Sequence, residues 1–205
     1  MNINLYLIRH SQSYGNLCPK DKRPKDDNFS ITEKGIQQAN ISGKFLENYL
    51  TLNKINIDKV LVSSKLRTLQ TYKIQKNYIN NNMNNKRIKI IKLSKNNIKS
   101  SRKKKLIMKY NIEDFINFIN QFSNKNKFNN LLFYTHKGFI TDFYTFLNTK
   151  LEKNIDNNNI YKVSLKFNQY NQLINFNIKL IKDFSYTFSK IKPTIKDNKT
   201  CDLFV

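Results

Sequence analysis

The sequence predicts an α/β fold, a three-layer sandwich with helices on both faces of a mostly parallel central sheet. Short apolar runs with β-branched and aromatic character alternate with longer segments of helical periodicity. Their order is β-α-β-α-β-α-β-α, followed by extra strands. Both histidines of the chain stand just past such a run, where open α/β sheets bind ligands.

The first run, Asn4–Ile8, stops at Arg9-His10 and gives way to the polar turn Ser11–Asn16. Residues 17–30 are rich in Lys, Asp and Pro, and Pro19 and Pro24 block helix there. A helix is predicted from about Thr32 to Thr51, with Ile36, Ala39, Phe45, Leu46, Tyr49 and Leu50 near one face. Asp58–Val62 reads as the second strand, ending at Ser63-Ser64, and a helix from about Leu66 to Ile79 carries Arg67 in its first turn. The Asn-rich stretch at 80–85 reads as a loop and Ile88–Leu93 as a third strand. Ile112–Phe122 is amphipathic, and its Phe115, Ile116, Phe118, Ile119 and Phe122 read as core. The run Leu131–Thr135 ends at His136, and a helix follows from about Gly138 to Leu147. Strands near 160–167 and 172–180 are expected to pair as an edge hairpin. We therefore expect one domain over 1–184 and a basic tail over 185–205.

A chain of 205 residues, 39% hydrophobic and 25% charged, has the size and composition of a single globular domain. No apolar stretch approaches membrane-spanning length, and no basic, apolar leader opens the chain. The widely separated Cys18 and Cys201 point to a reduced, cytoplasmic setting. Two histidines without a Cys/His cluster predict no metal site, and no cofactor is expected. The net charge of +23 favours phosphorylated or polyanionic partners, while AT-rich codons offer a second explanation for the Lys, Asn and Ile excess. Between Lys86 and Lys109 there are eleven Lys or Arg and no acid. That stretch is either a nucleic-acid contact or a solvated loop inflated by the same bias.

Three segments end a strand or begin a helix with groups suited to phosphate: Arg9-His10, Ser63–Arg67 and His136. A dianionic phosphate is held by arginine forks, free backbone N–H groups and the positive end of a helix dipole. A neutral histidine among them can attack phosphorus in line without a metal ion.

These residues resemble the histidine phosphatase (phosphoglycerate mutase-like) superfamily. Leu7-Ile8-Arg9-His10-Ser11-Gln12-Ser13-Tyr14-Gly15-Asn16 is similar to its Arg-His-Gly-Glu-Thr-x-x-Asn signature. Asp27–Ala39 resembles Asp-x-x-Leu-Thr-x-x-Gly-x-x-Gln-Ala, and Ser63–Thr71 resembles Ser-Ser-x-Leu-x-Arg-Ala-x-Gln-Thr. Thr135-His136-Lys137-Gly138 is similar to Thr-His-Gly-Gly. The resemblance implies a phosphoglycerate mutase-like fold, with His10 as the nucleophile and Arg9, Arg67 and His136 around the phosphate. It also places Ser13 and Asn16 along the pocket; Lys137, which departs from the pattern, is expected to bind substrate as an added cation or else to obstruct the pocket.

Two features depart from the superfamily pattern. The carboxylic acid that would protonate the leaving oxygen is not evident, because Lys59 to Ile112 contains no Asp or Glu and Lys137 follows His136. Glu113 and Asp114 read as acids at a helix start, and Asp27 and Glu33 match no donor motif. Ser11 and Lys137 replace glycines, setting side chains where the superfamily backbone runs close to phosphate. The expected function is a metal-independent phosphomonoester hydrolase acting on a phosphorylated small molecule or phosphoprotein. The alternative is a weak or inactive pseudophosphatase that binds phosphorylated ligands or nucleic acid.

Overall fold

The structure is a computed structural model that describes residues 1–18, 28–84, 88–91, 95–98, 107–150 and 154–191, with backbone alone for 95–98 and 107–110. Its central sheet has six strands. Four of them run parallel: β1 (Asn2–Arg9), β2 (Lys59–Ser63), β3 (Ile88–Ile91) and β6 (Asn130–Thr135). The antiparallel β7 (Ile160–Phe167) and β8 (Leu173–Lys182) complete it, in the spatial order β3-β2-β6-β1-β7-β8. β4 (Lys95–Ile98) and β5 (Ile107–Tyr110) form a separate antiparallel pair inside the basic stretch. Lys89 is the only basic residue between 86 and 109 whose side chain is described, and that expected nucleic-acid surface otherwise lies outside the described residues.

Parallel strands flanked by helices bury both faces, which is why β1 and β6 read as unbroken apolar runs. On one face Leu5, Leu7 and Phe133 pack with Phe115, Ile116 and Ile119 of α4 (Ile112–Asn126) and with Phe139 and Phe143 of α5 (Lys137–Phe146). On the other face Tyr6, Ile8 and Tyr134 meet Leu46 and Leu50 of α2 (Glu33–Leu52) and Tyr72 of α3 (Leu66–Ile79). The α4 aromatics are core, as their spacing implies: Phe115 stacks on Phe133 at 5.1 Å. Two short helices, α1 (Tyr14–Leu17) and α6 (Ser185–Ser189), finish the set. No helix among the described residues is long and apolar enough to cross a membrane.

Two segments differ from expectation. Residues 80–82 form a 3-10 turn, and Asn82 and Met83 are buried, with Met83 bridging to Ile57, so this part of the Asn-rich stretch closes the bottom of the sheet. Residues 185–191 of the expected tail are built into the fold, because α6 seats Phe188 against Phe184 and the α2 side of the core. The remainder of the tail, 192–205, lies outside the described residues, as do 19–27 of the Pro-rich loop.

Candidate active site

Strand order alone brings the polar groups of the site together. β1 and β6 are parallel neighbours with Arg9 level with Thr135, so the residue after each strand, His10 and His136, emerges on the same rim. The His10 N–H donates to the Thr135 carbonyl at 3.0 Å, and the two imidazoles meet edge to face at 5.2 Å. β2 lies on the other side of β6, and its last residue, Ser63, places Oγ 2.8 Å from His136 Nε2. α3 begins three residues later and projects Arg67 from its first turn toward His10.

His10 is 4% exposed, and its protonation state follows from its partners. Nδ1 faces the Ser11 carbonyl at 2.7 Å; a carbonyl only accepts, so Nδ1 carries the proton. Nε2 then keeps its lone pair, and Arg67 Nε–H donates to it at 3.2 Å, as a guanidinium can only donate. Burial holds the His10 pKa well below its ordinary 6.5, reinforced by the charges of His136, Arg67 and Arg9 and opposed by the Ser11 carbonyl. The ring is therefore a neutral base facing a cationic surround.

Arg9 donates from its guanidinium to the Ile155 carbonyl at 2.6 Å. Burial lowers its pKa to about 10, while the Asp156 and Tyr161 charges act the other way. The segment 155–159, absent from the sequence-based site, grips the whole Arg9-His10-Ser11 turn. Asn157 Nδ2 donates to the His10 carbonyl at 2.7 Å, and the backbones of Asn158 and Asn159 bond Arg9 on both sides. Asn158 has a left-handed φ of 59°, which Asn tolerates better than most residues, and its buried amide meets Ser11 Oγ and Gln75. The one sequence signal for this clamp was the turn-forming Asp156–Asn159 run before a strand, and it blends into the Asn-rich background.

Helix α2 supports the loop from its other side. Its N-cap Thr32 accepts the Gly35 N–H and donates to Gln12 Oε1, while Gln38 Oε1 accepts the Gln12 N–H. A Cβ at residue 35 would run into the Gln12 carbonyl, so glycine is needed for this close approach.

The remaining expected site residues are more dispersed. Ser13 and Asn16 bond each other, since Asn16 Oδ1 accepts from the Ser13 N–H and hydroxyl, as in a helix cap. Lys137 is exposed at the start of α5, one residue past His136. Ser11 is fully buried, with Oγ turned onto Asn158 rather than standing free where phosphate would lie. Asp114 and Asn111 bond reciprocally at the α4 cap, and Glu113 and Glu33 are exposed in the first turns of their helices. These carboxylates serve helix ends. Asp27 lies outside the described residues.

A neutral imidazole whose unprotonated Nε2 accepts from Arg67, two guanidiniums and a second imidazole are the groups suited to an anionic, tetrahedral group open to nucleophilic attack. The histidine phosphatase superfamily (branch 1) matches residues 5–87 of the chain. No curated protein matches it. Phosphoglycerate mutase from Bacillus anthracis str. Sterne is similar in structure over 92% of this chain and 96% of its own, with a TM-score of 0.64 and 16% identity. A mycobacterial glucosyl-3-phosphoglycerate phosphatase is similar over 88% and 98%, with a TM-score of 0.61 and 10% identity. The protein histidine phosphatase SixA, complexed with tungstate, is similar over 85% and 94%, with a TM-score of 0.51 and 14% identity. Residues 5–87 thus carry the match to the histidine phosphatase superfamily, and the chain as a whole shares the mostly parallel α/β fold of these phosphatases and mutases.

Proposed function

We propose that the protein is a metal-independent phosphomonoester hydrolase that turns over through a phosphohistidine on His10. The observation that carries this reading is the state of His10: its proton sits on Nδ1 and its Nε2 lone pair points at the Arg67 guanidinium. A phosphoryl group entering there takes Arg67 and Arg9 as counter-charges. Nε2 then attacks phosphorus in line, the P–N bond forms and the P–O bond to the leaving group breaks. Water attacks the phosphohistidine in the second step: a P–O bond forms, and the P–N bond breaks with its electron pair returning to Nε2. The proton lost by water goes to solvent, which also protonates the departed leaving-group oxygen. His136, oriented by Ser63, spreads charge on the equatorial oxygens in both steps. Exposed Asn16 and Lys137 are available to the rest of the substrate, while buried Ser13 acts on it only by holding Asn16.

The leaving oxygen finds no acid along the 59–112 stretch. Losing a positioned general acid costs roughly 10²–10⁴-fold, and most for a poor leaving group. Aryl phosphates should accordingly outpace alkyl phosphates, and hydrolysis should prevail over transfer between two hydroxyls. The substrate class is a phosphorylated small molecule or phosphoprotein, drawn in by the +23 charge. Hydrolysis of p-nitrophenyl phosphate in EDTA tests the reading. Wild type should turn over, and His10→Ala should be folded and inert. Absence of turnover by folded wild type would sink the proposal.

A further inference from the structure

Ser11 occupies a position where the superfamily signature has glycine, and the protein has built a buried partner for it. Ser11 Oγ accepts from Asn158 Nδ2 at 2.8 Å and donates to Asn158 Oδ1 at 3.2 Å. Both residues are fully buried. Asn158 Oδ1 also accepts from Gln75 Nε2 at 3.0 Å, and the Asn158 N–H donates to the Arg9 carbonyl at 3.0 Å. The Ser11 N–H donates to Thr71 Oγ1 at 3.0 Å, and that hydroxyl in turn donates to the Arg67 carbonyl at 2.7 Å. The Ser11 peptide is thus fixed from its side chain by β7-side residues and from its N–H by the helix that carries Arg67. Its carbonyl is the acceptor that determines which nitrogen of His10 keeps the proton.

We propose that Ser11 and Asn158 are a coupled positioning pair: their buried hydrogen bonds hold the Ser11 carbonyl where it keeps the His10 proton on Nδ1. The proposal rests on the phosphohistidine reading for its kinetic consequence, because the Nε2–H form has no lone pair for attack. A backbone carbonyl free to tilt would let both tautomers populate, and only one of them reacts. Small displacements of a reacting group cost up to about 10²-fold in rate. Removing the Ser11 hydroxyl takes the acceptor from buried Asn158 Nδ2, and removing the Asn158 amide takes both partners from buried Ser11 Oγ, so the pair should act as a unit.

The test combines kinetics with ¹⁵N-histidine NMR, in which a chain with two histidines gives a simple spectrum. Asn158→Gly deletes the amide while permitting the left-handed φ, and Ser11→Ala deletes only the hydroxyl. Each should lower kcat on p-nitrophenyl phosphate by roughly 10–100-fold with KM unchanged, and shift His10 from one tautomer to a mixture. The double variant should be no slower than the slower single. Ser42→Ala, which removes a different partner of Gln75 and touches no residue of the loop, should lower Tm and leave kcat and tautomer alone. If either folded variant retains the Nδ1–H tautomer and wild-type kcat, or if Ser42→Ala slows kcat equally, the proposal is overturned. A wild type without turnover would end the phosphatase reading, while the tautomer spectra would still decide this one.

Discussion

The two ends of the same parallel strands are built for different purposes. At their N-terminal ends polar groups neutralise one another: Asp58 Oδ2 accepts the N–H groups of Asn129 and Asn130, Asp58 Oδ1 accepts Asn84 Nδ2, and Asn4 Nδ2 donates to Asn130. At their C-terminal ends β1, β6 and α3 gather two imidazoles and two arginines, with Asp156 and Tyr161 acting against the Arg9 charge. Like charges crowded around a buried ring repel one another, unlike the Asp58 contacts at the opposite end. Burial first, and then the charges of His136, Arg67 and Arg9, hold the His10 pKa down, a combination suited to an anion. The difference separates residues that hold the sheet from the residues proposed to bind a ligand.

Exchanging the expected effects between the two ends would break this comparison. Arg67→Ala should cost the most, roughly 10²–10³-fold in kcat/KM for an aryl phosphate, with Tm little changed. Steady-state kinetics and a thermal melt on one preparation decide it; a large Tm loss with retained turnover would reverse its assignment. At the other end Asp58→Ala should leave turnover intact and lower stability by about 1–3 kcal/mol, because two strand-start N–H groups lose a charged acceptor. Denaturant unfolding reads that value, and unaltered stability would contradict it.

Acid sharpens the contrast further. Unfolded His10 titrates near the ordinary 6.5, while the folded ring resists protonation. The unfolded chain therefore binds the extra proton as pH drops below about 6.5, and His10 alone should remove stability at up to about 1.4 kcal/mol per pH unit. The same depression keeps the proposed nucleophile neutral, so the acid limb of kcat/KM should fall well below pH 6.5. Its position at or above 6.5 would mean that the surround does not act on His10 as described. His10→Ala should flatten the corresponding part of the stability profile.

The contrast also explains what could be read from the sequence. The helix Leu66–Ile79 and the strands ending at Arg9 and Thr135 follow from burial on both sheet faces and from helical spacing, which are local and periodic signals. His10, Arg67 and His136 stand together because each sits at a strand end or helix start, so their meeting follows from topology. The Asp156–Asn159 clamp acts through hydrogen bonds across about 150 residues of chain, and periodicity carries nothing about such contacts. Its asparagines also have the composition of the surrounding background. Ser13 and Asn16 show the converse: their motif is legible, yet the contacts they make are those of a helix cap. The α6 docking at Phe188 was hidden for a similar reason, since one aromatic in a five-residue helix leaves no period to detect.

The most direct measurement is to trap the covalent intermediate. Brief mixing with a ³²P-labelled aryl phosphate, followed by denaturation in alkali, preserves phosphohistidine, and peptide mapping then locates the label. The account predicts label on the peptide containing His10 and none in His10→Ala. Turnover with label on another residue, or sustained turnover by His10→Ala, would contradict it.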